Sequence, residues 1–120
     1  MCDVMRRHGL TAWTRGRVPF RVTSSCRLAW GYADVVFGIA SSFVHSHPAK
    51  AKRESYDCYV VELGAGHCAF GFRLAQRLHQ LCNGPSAPRV CVVLTDASAA
   101  AIDTARRHPC FRYDLVTVGP

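Results

Sequence analysis

The sequence predicts an α/β fold: a partial parallel sheet of about three strands, preceded by a helical N-terminal lead-in. Three observations predict it. Two short runs, "CYVVEL" (58–63) and "RVCVVLTD" (89–96), are rich in β-branched residues, as buried parallel strands are. Each is followed by a segment of helical period. With 120 residues, 49% of them hydrophobic and 19% charged, the chain has the makings of one ordinary core.

The elements follow in order. Residues 1–25 hold Arg6, Arg7, Arg15, Arg17 and Arg21, with Asp3 as the only acid. From Ser25 the pattern turns helical. Leu28, Tyr32, Val35, Val36, Ile39 and Phe43 share one face, which reads as an amphipathic helix lying on the domain. Its apolar stretch, Ala29 to Val44, is too short for a membrane span. "HSHPAKAKRESYD" (45–57) reads as a polar linker, dividing a basic helical lead-in (1–55) from a ligand-binding half-domain (56–120).

After the first strand, Phe70, Leu74, Leu78 and Leu81 predict a helix over 70–81, stopped by the turn cluster "NGPSAP" (83–88). After the second strand, Ser98 caps a third helix through "AAAIDTARRH". Arg106, Arg107 and His108 complement the C-terminal dipole of that helix, and Pro109 ends it. "YDLVTV" (113–118) opens a third strand. The order β-α-β-α-β implies a parallel sheet with right-handed crossovers.

Charge and cysteines narrow the function classes. Residues 1–55 carry nine basic and three acidic side chains, residues 56–120 six and five. The basic arm interleaves aromatics in "TAWTRGRVPFR", but no nucleic-acid module accompanies it, so we read a solvated basic face. Arg-rich and acid-poor, the N-terminus also has the composition of a mitochondrial transit peptide, the alternative to a cytoplasmic location. Seven cysteines, an odd number without C-x-x-C, argue against a disulfide framework. His45 and His47 lack further ligands at metal spacing, so no metal is expected.

The chemistry concentrates in "YVVELGAGHCAFGF" (59–72). Parallel sheets bind ligands beyond the C-terminal ends of their strands, and Glu62 and Asp96 both lie at or near such ends. Between them, Gly64 and Gly66 allow a sharp turn and close approach of a ligand. A carboxylate at the second strand's end can accept bonds from ribose hydroxyls. "GAGHCA" also fits G-x-G-x-x-A, the relaxed dinucleotide fingerprint. A dinucleotide places a pyrophosphate at the helix N-terminus, where Glu62 adds like charge. S-adenosyl-L-methionine carries no phosphate, and its sulfonium and ammonium groups attract a carboxylate.

With those residues in view, "VVELGAGH" resembles motif I of the class I (Rossmann-like) S-adenosylmethionine-dependent methyltransferases, and "VVLTDAS" resembles their motif II. The resemblance covers about residues 59–98, and more weakly 12–44. It implies a Rossmann-like sheet, with Glu62, Leu63, Gly64, Ala65 and Gly66 under the methionine part of the cofactor and Asp96 on the ribose. The activity it implies is methyl transfer to an acceptor of unknown class. Cys68 stands where the family has its third glycine. The family's domain has about seven strands, so the expectation is its N-terminal portion. Two other readings stay open: a non-catalytic binding module that keeps only the half-sheet, and a fragment of an NAD(P)-dependent oxidoreductase.

Overall fold

The structure, a computed structural model, describes Arg15 and residues 23–48, 56–111 and 116–118. The Arg-rich stretch that raised the targeting and nucleic-acid readings lies almost wholly outside them.

Three helices and three strands alternate as the periodicities predict. They are α1 (Cys26–Ser46), β1 (Cys58–Leu63), α2 (Ala69–Leu81), β2 (Val90–Thr95), α3 (Ala99–Arg107) and β3 (Val116–Val118), with a 3-10 turn at Pro109–Phe111 before β3. The strands form one parallel sheet in the order β1-β2-β3. The fold is α/β.

Caps set the helix ends. Ser25 Oγ accepts the Leu28 N–H at 3.3 Å to start α1, and Ser98 Oγ accepts the Ala101 N–H at 3.3 Å to start α3. Helix α1 runs on through His45 and Ser46, which the linker reading had left outside it. His47 then caps it, its N–H donating to the Phe43 carbonyl at 3.0 Å and its ring stacking on Phe43. Among the described residues no group of His, Cys, Asp and Glu is arranged to hold a metal, and no disulfide forms. None of the described helices is long and apolar enough to cross a membrane.

The face that α1 buries is not the predicted one. Ala29, Ala33 and Ala40 are buried where α1 packs on α2, whereas Leu28, Tyr32, Val35, Ile39 and Phe43 are exposed. Small side chains let two helix backbones approach closely, so a stripe of alanines wins the contact over the larger residues beside it. Arg77 of α2 secures the rim, reaching Asp34 at 3.4 Å and lying 5.7 Å over the Trp30 ring.

Strand β1 also departs from expectation. Cys58, Val60 and Glu62 turn toward the helices, in register with the buried Val90, Val92 and Leu94 of β2. Tyr59, Val61 and Leu63 point to the other face and are exposed, Leu63 by 82%. The strand is therefore half-buried, because the described helices α1 and α2 pack on one side only. An apolar run without polar alternation hid this from a periodicity reading.

At the N-terminal ends of the strands an ion pair ties β1 to β2. The Asp57 carboxylate accepts the Arg89 N–H at 2.8 Å and its guanidinium at 3.2 Å, while the Asp57 N–H donates to the Arg89 carbonyl at 2.8 Å. Burial alone would raise the Asp57 pKa, but the bonds from Arg89 win and hold it below the usual carboxylate range.

Candidate functional site

At the opposite, C-terminal edge of the strands the chain makes the β1–α2 loop. Three alternate residues there take the left-handed conformation: Gly64 (φ 71°), Gly66 (φ 55°) and Cys68 (φ 60°). The last is the N-cap of α2. Glycine accepts this geometry freely and an L-residue does not. The sequence left the sign of φ at Cys68 open; it is positive.

The loop is held at several points. The Ala65 N–H donates to the Thr95 carbonyl at 2.8 Å, and Thr95 Oγ1 donates to the Glu62 carbonyl at 2.9 Å. Asp96 clips the loop from the side. Its Oδ2 accepts the Gly66 N–H and its Oδ1 the Ser98 N–H, both at 2.8 Å. Cys68 is buried, with Sγ 3.7 Å from the Gly66 carbonyl.

Against the loop lies a cavity of about 480 Å³. Glu62, Gly64, Ala65, Gly66 and His67 form its polar end, Thr23 and Ser24 add two hydroxyls, and apolar side chains including Leu28, Tyr32, Val36, Phe70 and Leu74 form the rest. Tyr32 and Phe70 meet edge to face, with centroids 5.7 Å apart. Of the sequence-predicted residues, Glu62, Gly64, Ala65 and Gly66 come together on this wall. Leu63 points away to the exposed face, and Asp96 braces the loop without lining the cavity.

Glu62 is the unusual group. Its carboxyl lies against Gly71, where a Cβ would overlap both Glu62 Oε2 and Leu94 Cδ2. Burial drives its pKa up to about 7, and the Gly71 N–H opposes that rise only in part. Glu62 Oε2 has no hydrogen-bond partner. A buried acceptor without a donor is costly, and such groups mark places where a ligand supplies one.

The neighbours carry little charge of their own. His67 Nδ1 accepts the Ala69 N–H at 3.3 Å, and burial together with nearby Arg73 lowers its pKa. Burial, then the Glu62 and Asp96 charges, push the Cys68 thiol up to about 11, so it is no nucleophile. Among the described residues no Lys or Arg lines the cavity. The arrangement accepts a cation or a hydrogen-bond donor at Glu62, with an apolar body beyond it. Sequence reasoning missed Gly71, Tyr32 and Phe70 as parts of this site. A glycine inside the predicted helix was the available signal for Gly71.

The left-handed Cys68 sets an expected result. Relative to Cys68→Ala, Cys68→Gly should be more stable by about 1 kcal/mol, because both lose the thiol but only glycine relieves the backbone. Inside a helix that order is reversed. Urea unfolding of the two variants checks it, and a more stable alanine variant would contradict a positive φ at this position.

No protein-family model matches the chain, and no curated protein or solved structure matches it either.

Proposed function

We propose that the chain binds S-adenosyl-L-methionine over the β1–α2 loop, as the cofactor side of a Rossmann-like methyltransferase. The observation that carries this reading is Glu62: a half-buried carboxyl, its Oε2 buried and unpartnered, on the wall of a cavity to which the other described residues bring no charge. The run of left-handed residues supports it. Positions 64, 66 and 68 are those that the motif I resemblance assigns to glycine, and all three have positive φ. The parallel order β1-β2-β3, with a helix between strands, suits the N-terminal part of such a sheet.

In this reading Glu62 receives the ammonium group, and Gly64, Ala65 and Gly66 let the ligand approach the backbone without meeting a large side chain. Asp96 is already engaged by two N–H groups. A carboxylate has further lone pairs, so it retains capacity for a ribose hydroxyl. Bound cofactor supplies an activated methyl group; the protein's share is to orient it and to exclude water, which provides much of the rate in such transfers. The acceptor is of unknown class.

Titration calorimetry with S-adenosylhomocysteine and with NAD tests the proposal. Saturable binding of the first and none of the second is expected. NAD binding alone would replace this reading with the oxidoreductase one. Binding of neither would leave a non-catalytic module, a reading that the strained Cys68 favours.

A further inference from the structure

Two aromatic rings stand among the apolar walls of the Glu62 cavity, and they come from different elements. Tyr32 belongs to α1 and Phe70 to the first turn of α2. Their centroids are 5.7 Å apart and their planes cross at 83°, so the two rings enclose a corner. Phe70 precedes Gly71, whose backbone lies against the Glu62 carboxyl. The carboxyl therefore sits beside the residue next to the corner, on the wall of the same cavity.

An aromatic ring is negative on its faces, and a cation within about 6 Å of its centre is attracted to it. A primary ammonium group in such a place also needs acceptors for its N–H bonds. An alkylated sulfonium has no N–H and needs none. Apart from Glu62 and the hydroxyls of Thr23 and Ser24, the side chains of the lining offer mainly rings and aliphatic carbon. Among the described residues no Lys or Arg lines the cavity to compete for the rings, and His67 is neutral at pH 7, its pKa lowered by burial and by Arg73.

We infer that the corner of Tyr32 and Phe70 holds the sulfonium of S-adenosyl-L-methionine, so that the charged cofactor binds more tightly than S-adenosylhomocysteine. This rests on the methyltransferase reading and adds to it which side chains recognise the reacting end. The ammonium contact of Glu62 cannot make the distinction, because both compounds carry that ammonium group. The rings can. When the methyl group leaves, sulfur keeps the bonding electron pair and becomes a neutral thioether, and the attraction to the rings goes with the charge. The site loosens on its spent cofactor.

Calorimetry at pH 7 with each compound reads the ratio of the two affinities for the full chain and for Tyr32→Leu, Tyr32→Phe and Phe70→Leu. Circular dichroism checks each fold; Tyr32 is exposed, so leucine there spares the core. The unsubstituted chain should favour S-adenosyl-L-methionine by about threefold to thirtyfold, the worth of a cation–π contact. Tyr32→Phe keeps a ring and should keep the preference. Tyr32→Leu and Phe70→Leu should bring the ratio down toward one, and the Tyr32 pair decides if Phe70→Leu unfolds. Any pull of the Glu62 charge on the sulfonium is common to all the variants, so the change in ratio belongs to the rings. A ratio at or below one in the unsubstituted chain, or equal ratios in Tyr32→Leu and Tyr32→Phe, would overturn the corner and leave the cofactor reading standing. A folded chain that binds neither compound would overturn both.

Discussion

Glu62→Gln should stabilise the ligand-free protein at pH 8 and at the same time weaken S-adenosylhomocysteine binding. The two effects have one cause. Folding raises the carboxyl pKa from 4.5 to about 7, so the folded state holds this proton more tightly than the unfolded chain does. The stability contributed is fully present below pH 4.5 and is lost as pH rises through about 7. Complete burial would make such a shift worth roughly 3 kcal/mol, and partial exposure screens it to about 1–2 kcal/mol. Glutamine carries no charge to bury, so from pH 5 to pH 8 the unfolding free energy of the parent should fall relative to that of the variant. Losing a charge-assisted bond to a ligand ammonium costs about 1.5–3 kcal/mol, or roughly ten- to a hundredfold in affinity. Urea unfolding across pH, with calorimetry at pH 8, reads both. Parallel pH profiles and equal affinities would take Glu62 out of the site.

Gly71→Ala should lower stability by about 2 kcal/mol, although alanine is the better helix former by about 1 kcal/mol. The added methyl group would overlap Leu94 Cδ2 and Glu62 Oε2, and Leu94 is completely buried in the middle of the sheet. Glu62 can turn toward the cavity it lines, but the enclosed Leu94 yields only if α2 shifts from the sheet. Leu94→Ala in the same chain should recover part of the loss, because the two changes share one volume and are not additive. Urea unfolding of the single and double variants measures this. A Gly71→Ala chain as stable as the parent would show that α2 does not press on Glu62.

The elements were legible in the sequence because each rests on local signals: β-branched runs for β1 and β2, serine caps for α1 and α3, and a four-residue leucine period for α2. The polar end of the cavity was legible for the same reason, since Glu62, Gly64, Ala65 and Gly66 are contiguous. What was hidden depends on distant partners. Ala29, Ala33 and Ala40 carry the α1–α2 contact, but alanine signals helix anywhere and says nothing about which face is inside. The exposure of Val61 and Leu63 depends on which side of the sheet the helices cover. Asp96 read as a ligand group, and its bonds to the Gly66 and Ser98 amides, one of them thirty residues away, emerge only from the fold.

The two ends of the sheet treat a carboxylate in opposite ways. Asp57 at one end is matched by Arg89 and strengthens the fold; Glu62 at the other has an oxygen without a partner and weakens it. Random substitution would therefore act on them unequally. A lineage that ceased to use the cavity would gain stability by exchanging Glu62 for glutamine, methionine or leucine, while Asp57 would be retained for the fold alone. Persistence of glutamate at position 62 among descendants of this chain would measure how long selection for a ligand had lasted.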